Sequence, residues 1–144
     1  MSQRPFRKAP VIVALGGYAA AVATVALWPT PVDRPVSGLL RRTLGRLHEL
    51  GVPSWFDYSL VEFSANVAMF VPLGFLLAAL VDRRLTWVAV AAASLVSVSI
   101  ELAQWLLLPA RFPAVSDVVA NTMGAAIGAL LFTVITLGRV TRED

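Results

Sequence analysis

Hydrophobic residues gather into four long blocks, residues 11–28, 58–81, 85–108 and 117–138, separated by short polar stretches. A helix crossing ~30 Å of hydrocarbon needs about 20 mostly apolar residues. The first block is at the short end of that range and the other three are ample, so the pattern predicts four membrane-spanning helices. Asp82-Arg83-Arg84, between the second and third blocks, is long enough only for a tight antiparallel hairpin. Residues 109–116, with Pro109 and Pro113, form a second short connection. Within it, Ser116 followed by Asp117 reads as an N-cap and an acidic first turn opening the fourth helix. Arg4, Arg7 and Lys8 before the first block also suit a signal peptide, but a signal h-region runs about 7–15 residues. This block is longer, so a permanent first helix is expected, with residues 1–10 as a basic N-terminus and 139–144 as a tail.

The segment 29–57 is the sizeable polar piece. Pro29, Pro31 and Pro35 keep its first part extended. Over residues 37–50, Leu40, Leu44 and Leu47 fall on one helical stripe while Arg41, Arg42, Arg46 and Glu49 lie mostly elsewhere, the pattern of a short amphipathic helix on the membrane surface. Trp55, Phe56 and Tyr58 then read as an interfacial aromatic anchor into the second span. His48 has no companion and reads as a solvated loop residue.

Composition agrees with this picture. Of the 144 residues, 58% are hydrophobic and 15% charged, against about 25% charged in an average soluble domain. Mean hydropathy is +0.75. The fold class expected is therefore all-α, an integral membrane four-helix bundle with an amphipathic surface helix in its first outer loop. With no Cys and a single His, disulfide scaffolds, thiolate zinc sites, c-type haem attachment and Cys/His nucleophilic catalysis are excluded. A pI near 10.2 raises nucleic-acid binding, but the basic residues sit between apolar blocks, which fits membrane orientation and not a nucleic-acid surface. Arg4, Arg7, Lys8, Arg83, Arg84, Arg139 and Arg142 would lie inside, and Arg34, Arg41, Arg42, Arg46 and Arg111 outside. That bias places both termini in the cytoplasm of a multi-pass cell-membrane protein.

The polar residues inside the spans carry the functional signal, since ionisable groups in hydrocarbon are expensive. They are Glu62 and Asn66 in the second span, Glu101 and Gln104 in the third, and Asp117 and Asn121 in the fourth. At 1.5 Å rise per residue, Glu62 and Asn66 lie ~6 and ~12 Å from the start of their helix, and Glu101 and Gln104 ~10 and ~6 Å before the end of theirs. Asp117 and Asn121 occupy the first turns of the last. In an antiparallel bundle these ends share one side, so the six form a single layer in the outer half. Facing agrees: Glu62, Ala65, Asn66 and Met69 share one side, Ser94, Ser97, Glu101 and Gln104 another, and Asp117, Asn121, Gly124 and Gly128 a third. The Gly124-xxx-Gly128 stripe permits close helix approach. Arg111, in the loop above, is the natural partner of Glu101 or Asp117. Interhelical polar contacts average only ~0.6 kcal/mol, so three carboxylates and an arginine exceed what packing alone requires. Pro72 is expected to kink the second span inward of Asn66. Glu62-Phe-Ser-Ala-Asn66 and Asp117-Val-Val-Ala-Asn121 also share a carboxylate-x-x-Ala-Asn pattern, a faint sign of a duplicated hairpin.

The ordered set Asn66-Val-Ala-Met-Phe-Val-Pro-Leu-Gly74, Glu101-x-x-Gln104, and Arg111 to Asp117-x-x-x-Asn121-x-x-Gly124 resembles the VanZ-like membrane proteins, over residues 61–131. In one departure, Ala114 stands where that family's loop often carries an acidic residue. The resemblance implies a cell-envelope accessory protein, with a link to resistance to the glycopeptide teicoplanin.

Three readings of the polar layer follow. The first is an outward pocket for a lipid-linked cell-wall intermediate or another envelope ligand, bound by Glu62, Glu101, Arg111 and Asp117 with Asn66, Gln104 and Asn121 as neutral partners. The second is a membrane enzyme acting on a lipid headgroup or phosphate, with Glu101 or Asp117 as general base and Arg111 holding an anion. Mg²⁺ or Ca²⁺ would suit its carboxylates, but no Ser–His pair or phosphate-binding glycine loop accompanies it. The third is a small transporter working as a homo-oligomer. Membrane lipids are partners in each.

Overall fold

The computed structural model describes residues 8–28, 34–108 and 114–140, which are all-helical with no strand. The order is α1 (Lys8–Ala26), α2 (Arg34–Glu49), α3 (Tyr58–Ala78), a 3-10 turn (Arg83–Leu85), α4 (Thr86–Leu107) and α5 (Val115–Val140). Helices α1, α3, α4 and α5 are long and apolar enough to cross a membrane. The 26 residues of α5 span ~39 Å, more than the ~30 Å of a hydrocarbon core.

Side-chain and backbone contacts fix the topology. A Cβ at Gly124 would land on the Val67 carbonyl and one at Gly128 on the Val71 carbonyl, so α3 and α5 run parallel with their backbones touching. Ser94 pairs with Thr122, Asn121 with Ser97 and the Ala114 amide with Glu101, so α4 runs antiparallel to α5. A Cβ at Gly74 would in turn meet the Ala125 backbone. The α3–α5 pair is the most extensive in the bundle, because only glycine lets two helix backbones meet this closely. Helix α1 is more peripheral, with Val22 and Ala26 its buried residues.

Two apolar clusters follow. Val22, Phe70, Leu73, Ala93 and Ala125 form one at mid-bundle. Ala78, Ala89, Ala129 and Phe132 form the other near the α3–α4 hairpin, where Phe75 meets Phe132 edge-on at 5.4 Å between ring centroids. The hairpin is tight: Leu85 N–H donates to the Asp82 carbonyl at 2.7 Å and Thr86 Oγ1 to the Arg83 carbonyl at 2.8 Å. Exposed tryptophans mark both ends of the bundle, with Trp28, Trp55 and Trp105 at one and Trp87 at the other, as in interfacial belts. Helix α3 continues through Pro72. That proline has no N–H to give the Ala68 carbonyl, and at the neighbouring carbonyl, Met69, the Tyr18 hydroxyl of α1 donates at 2.8 Å.

Three local expectations are corrected. Helix α5 begins at Val115, one residue before Ser116, whose hydroxyl lies 3.4 Å from Asp117 Oδ1 inside the first turn and is not the N-cap. The Ala114 amide is held by Glu101, and this tertiary bond sets the start of the helix. His48 is not a solvated loop residue. It sits in the last turn of α2, half-buried, with Nε2 3.0 Å from the Phe56 carbonyl. The reason is the turn after α2: Val52 N–H donates to the Leu47 carbonyl and Gly51 N–H to His48, with Gly51 at φ 97°. This Schellman closure, which favours glycine, folds the chain back so that Phe56 reaches His48. Lastly, α2 starts three residues earlier than expected, at Arg34. The start of α3 carries a cap that the pattern did not single out, Asp57, whose Oδ1 accepts from Leu60 N–H at 3.0 Å.

Candidate functional site

At the end of the bundle opposite the hairpin the helices splay around a cleft of about 480 Å³. Helix ends explain its position: α1 and α4 finish here, α3 and α5 begin here, and the glycine contacts that clamp α3 to α5 lie deeper. Glu62, Asn66, Glu101, Gln104, Asp117 and Asn121 all line this one cleft. Arg111 lies outside the described residues. The walls between the polar groups are apolar, including Val25, Val61, Met69, Phe70 and Ile100.

The six polar residues do different work. Gln104, buried, donates from Nε2 to the Ala26 carbonyl at 2.8 Å, at the C-terminus of α1. Glu101, 8% exposed, accepts the Ala114 amide at 2.9 Å through Oε2 and so joins α4 to the head of α5. These two hold helix ends together as well as lining the cleft. Asn121, 5% exposed, donates from Nδ2 to Ser97 Oγ at 2.8 Å. Its Oδ1 is buried with no partner, a condition that costs about 1–3 kcal/mol. Asp117, half-buried in the first turn of α5, lines the cleft, and among the described residues its carboxylate has the Ser116 hydroxyl at 3.4 Å. On the α3 wall Glu62 is exposed and Asn66 half-buried.

Lining residues not nominated from sequence include Leu40, Tyr58, Ala114 and Ser116. Leu40 belongs to α2, so the amphipathic helix contributes to the cleft wall as well as to the surface. Its neighbour Arg41 places its guanidinium 4.7 Å over the Tyr58 ring, a cation–π contact that sets a positive charge beside the cleft. The amphipathic stripe carried a signal for this, since Leu40 leads it, but which surface it covers is decided by the turn at Gly51.

Among the described residues no three His, Asp or Glu side chains are grouped to hold a metal ion. The carboxylates share a cleft without forming an ion cage, so the donor set does not fit Mg²⁺ or Ca²⁺ held by three protein carboxylates. His48 is not among the lining residues.

The VanZ/LLP1 family model matches residues 15–136, and the chain belongs to that family. The match reaches beyond the motif-bearing region to most of α1 and all of α2. Comparison with curated proteins and with solved structures gave no match.

Proposed function

We propose that this VanZ/LLP1 membrane protein is a cell-envelope component whose cleft opens on the outer side of the membrane and binds the polar head of a lipid-linked or surface ligand. The observation that carries the reading is the convergence of six intramembrane polar residues from three helices on one cleft with apolar walls. A mixed lining of this kind suits an amphiphile. Binding is favoured over turnover, because Glu101 and Gln104 already hold the Ala114 amide and the Ala26 carbonyl and no three-carboxylate metal cage is present among the described residues. A link to teicoplanin susceptibility belongs to the same reading; expression in a susceptible host with no change in inhibitory concentration would remove it.

Two experiments test the proposal. Ala65 lines the cleft and is exposed within it, so Ala65→Trp should fill the space; purified wild type should retain an amphiphile that this variant loses. Equal retention would contradict a binding cleft. The chain has no cysteine, so single cysteines report sidedness directly. Ala114→Cys should react with an impermeant maleimide on intact cells, and Asp82→Cys only after the membrane is opened. The reverse pattern would put the cleft on the cytoplasmic side and end the surface-ligand reading.

A further inference from the structure

We infer that α2 docks on the bilayer at the cleft end of the bundle and binds the phosphates of anionic lipids through Arg42 and Arg46. This surface lies outside the cleft, and the inference does not rest on the binding role proposed above. Helix α2 meets the bundle through Leu44, which is buried, and Leu40, which lines the cleft. At 3.6 residues per turn, Leu39, Thr43 and Leu50 form a second strip, about 100–140° around the helix from Leu44. Leu39 is 69% exposed and Leu50 81%. Thr43 is exposed too, but its Oγ1 donates to the Leu39 carbonyl at 3.0 Å, so the hydroxyl needs no water. Leu40 and Leu47, both half-buried, fill the arc between this strip and Leu44. The apolar arc of α2 is therefore wider than the bundle covers.

The neighbours of α2 in the chain decide what covers the remainder. Helices α1 and α3 are both long and apolar enough to cross a membrane. Because α1 ends and α3 begins at the cleft end, α2 is tethered there on both sides. The exposed Trp28 and Trp55 flank it, and tryptophan is enriched at the membrane interface. A helix held at that level lies along the headgroups with its apolar strip in the acyl boundary. Charge then selects the lipid. Helix α2 carries Arg34, Arg41, Arg42 and Arg46 against a single acidic residue, Glu49. Going round from Leu39 away from the apolar arc, Arg46 follows at about 20°, Arg42 at about 60°, Glu49 at about 80° and Gly45 at about 120°. The two arginines thus edge the strip at phosphate height, with Glu49 and Gly45 on the water side. Both are exposed, and among the described residues neither has an ion-pair partner. Their stems can lie along the apolar strip while each guanidinium takes two phosphate oxygens.

The test measures depth and lipid charge separately. The chain has no cysteine, so single spin labels report depth on the full-length protein in bilayers of phosphatidylcholine and phosphatidylglycerol. A label at Leu39→Cys should collide mainly with oxygen, which concentrates in the acyl layer. A label at Gly45→Cys, where a new Cβ meets nothing within 4 Å, should collide mainly with a water-soluble nickel chelate. Lipid retained from an equal mixture of the two is then counted by native mass spectrometry, in the Ala65→Trp background so that the cleft makes no contribution. Phosphatidylglycerol should be retained in excess, and the excess should fall with salt. Arg42→Gln and Arg46→Gln should each lower it about fivefold with unfolding unchanged. A Leu39 label that meets the nickel chelate as readily as the Gly45 label puts the strip in water and overturns the inference. Dipolar broadening between Leu39 labels on different chains would put a second copy on this face and overturn it equally. An excess that survives both arginine substitutions overturns it as well.

Discussion

The two ends of the bundle are built from the same helices and solve opposite problems. At the hairpin end, Ala78, Ala89, Ala129 and Phe132 close together with the Phe75 ring against Phe132. At the other end, the same α3, α4 and α5 carry a carboxylate or an amide at each inward turn and leave a cleft of about 480 Å³. Small apolar residues let helix backbones meet; the polar residues of the other end tie the helices through side-chain hydrogen bonds and leave Asn121 Oδ1 unsatisfied. A bundle selected only for stability would have continued the alanine and glycine pattern to both ends. The proposed division gives folding to the hairpin half and ligand recognition to the cleft half.

Substitutions can break or sharpen that contrast. The largest effect is expected at Gly128→Leu, which drives a side chain into the Val71 carbonyl and the Phe75 amide. Overpacking alone costs about 1–3 kcal/mol, and here the obstacle is backbone, so folded protein should be lost from the membrane. Gly138→Leu, where a new Cβ meets nothing within 4 Å, should accumulate normally; equal loss of both would show that the α3–α5 contact is not what matters. Next comes Phe132→Ala, which opens a cavity in the closed half and should lower stability by about 3 kcal/mol in SDS unfolding from mixed micelles, with lipid binding retained in the protein that stays folded. Smallest in stability is Asn121→Leu, which removes a buried unpaired acceptor along with one hydrogen bond to Ser97. Its unfolding should shift by no more than about 1 kcal/mol, while cleft binding falls away. A loss as large as that of Phe132→Ala would make Asn121 a packing residue and erase the contrast.

Much of the contrast was legible in the sequence. Four long, mostly apolar blocks give span number almost unaided, because no water is available in hydrocarbon to satisfy any other backbone. Depth and facing of Glu62, Asn66, Glu101, Gln104, Asp117 and Asn121 follow from helical rise and rotation, and these six side chains do share one cleft. What local pattern could not supply were contacts between distant segments. Ser116 has the chemistry of a cap, but the Glu101 carboxylate on α4 takes the Ala114 amide and moves the helix start to Val115. His48 has no motif, yet the Gly51 turn brings the Phe56 carbonyl to it. Leu40 reaches the cleft for the same reason. Division of labour within the polar layer was equally hidden, since Gln104 capping Ala26 and Asn121 with a free oxygen differ only in their tertiary neighbours.

The central claim is that the cleft is kept open for a ligand. A crystal structure of the protein grown from a lipid phase tests this most directly. The account predicts elongated density between α3, α4 and α5, its polar head at the layer of Glu62 and Asp117. A cleft closed by its own helices, with Asn121 Oδ1 paired to a protein donor, would contradict it.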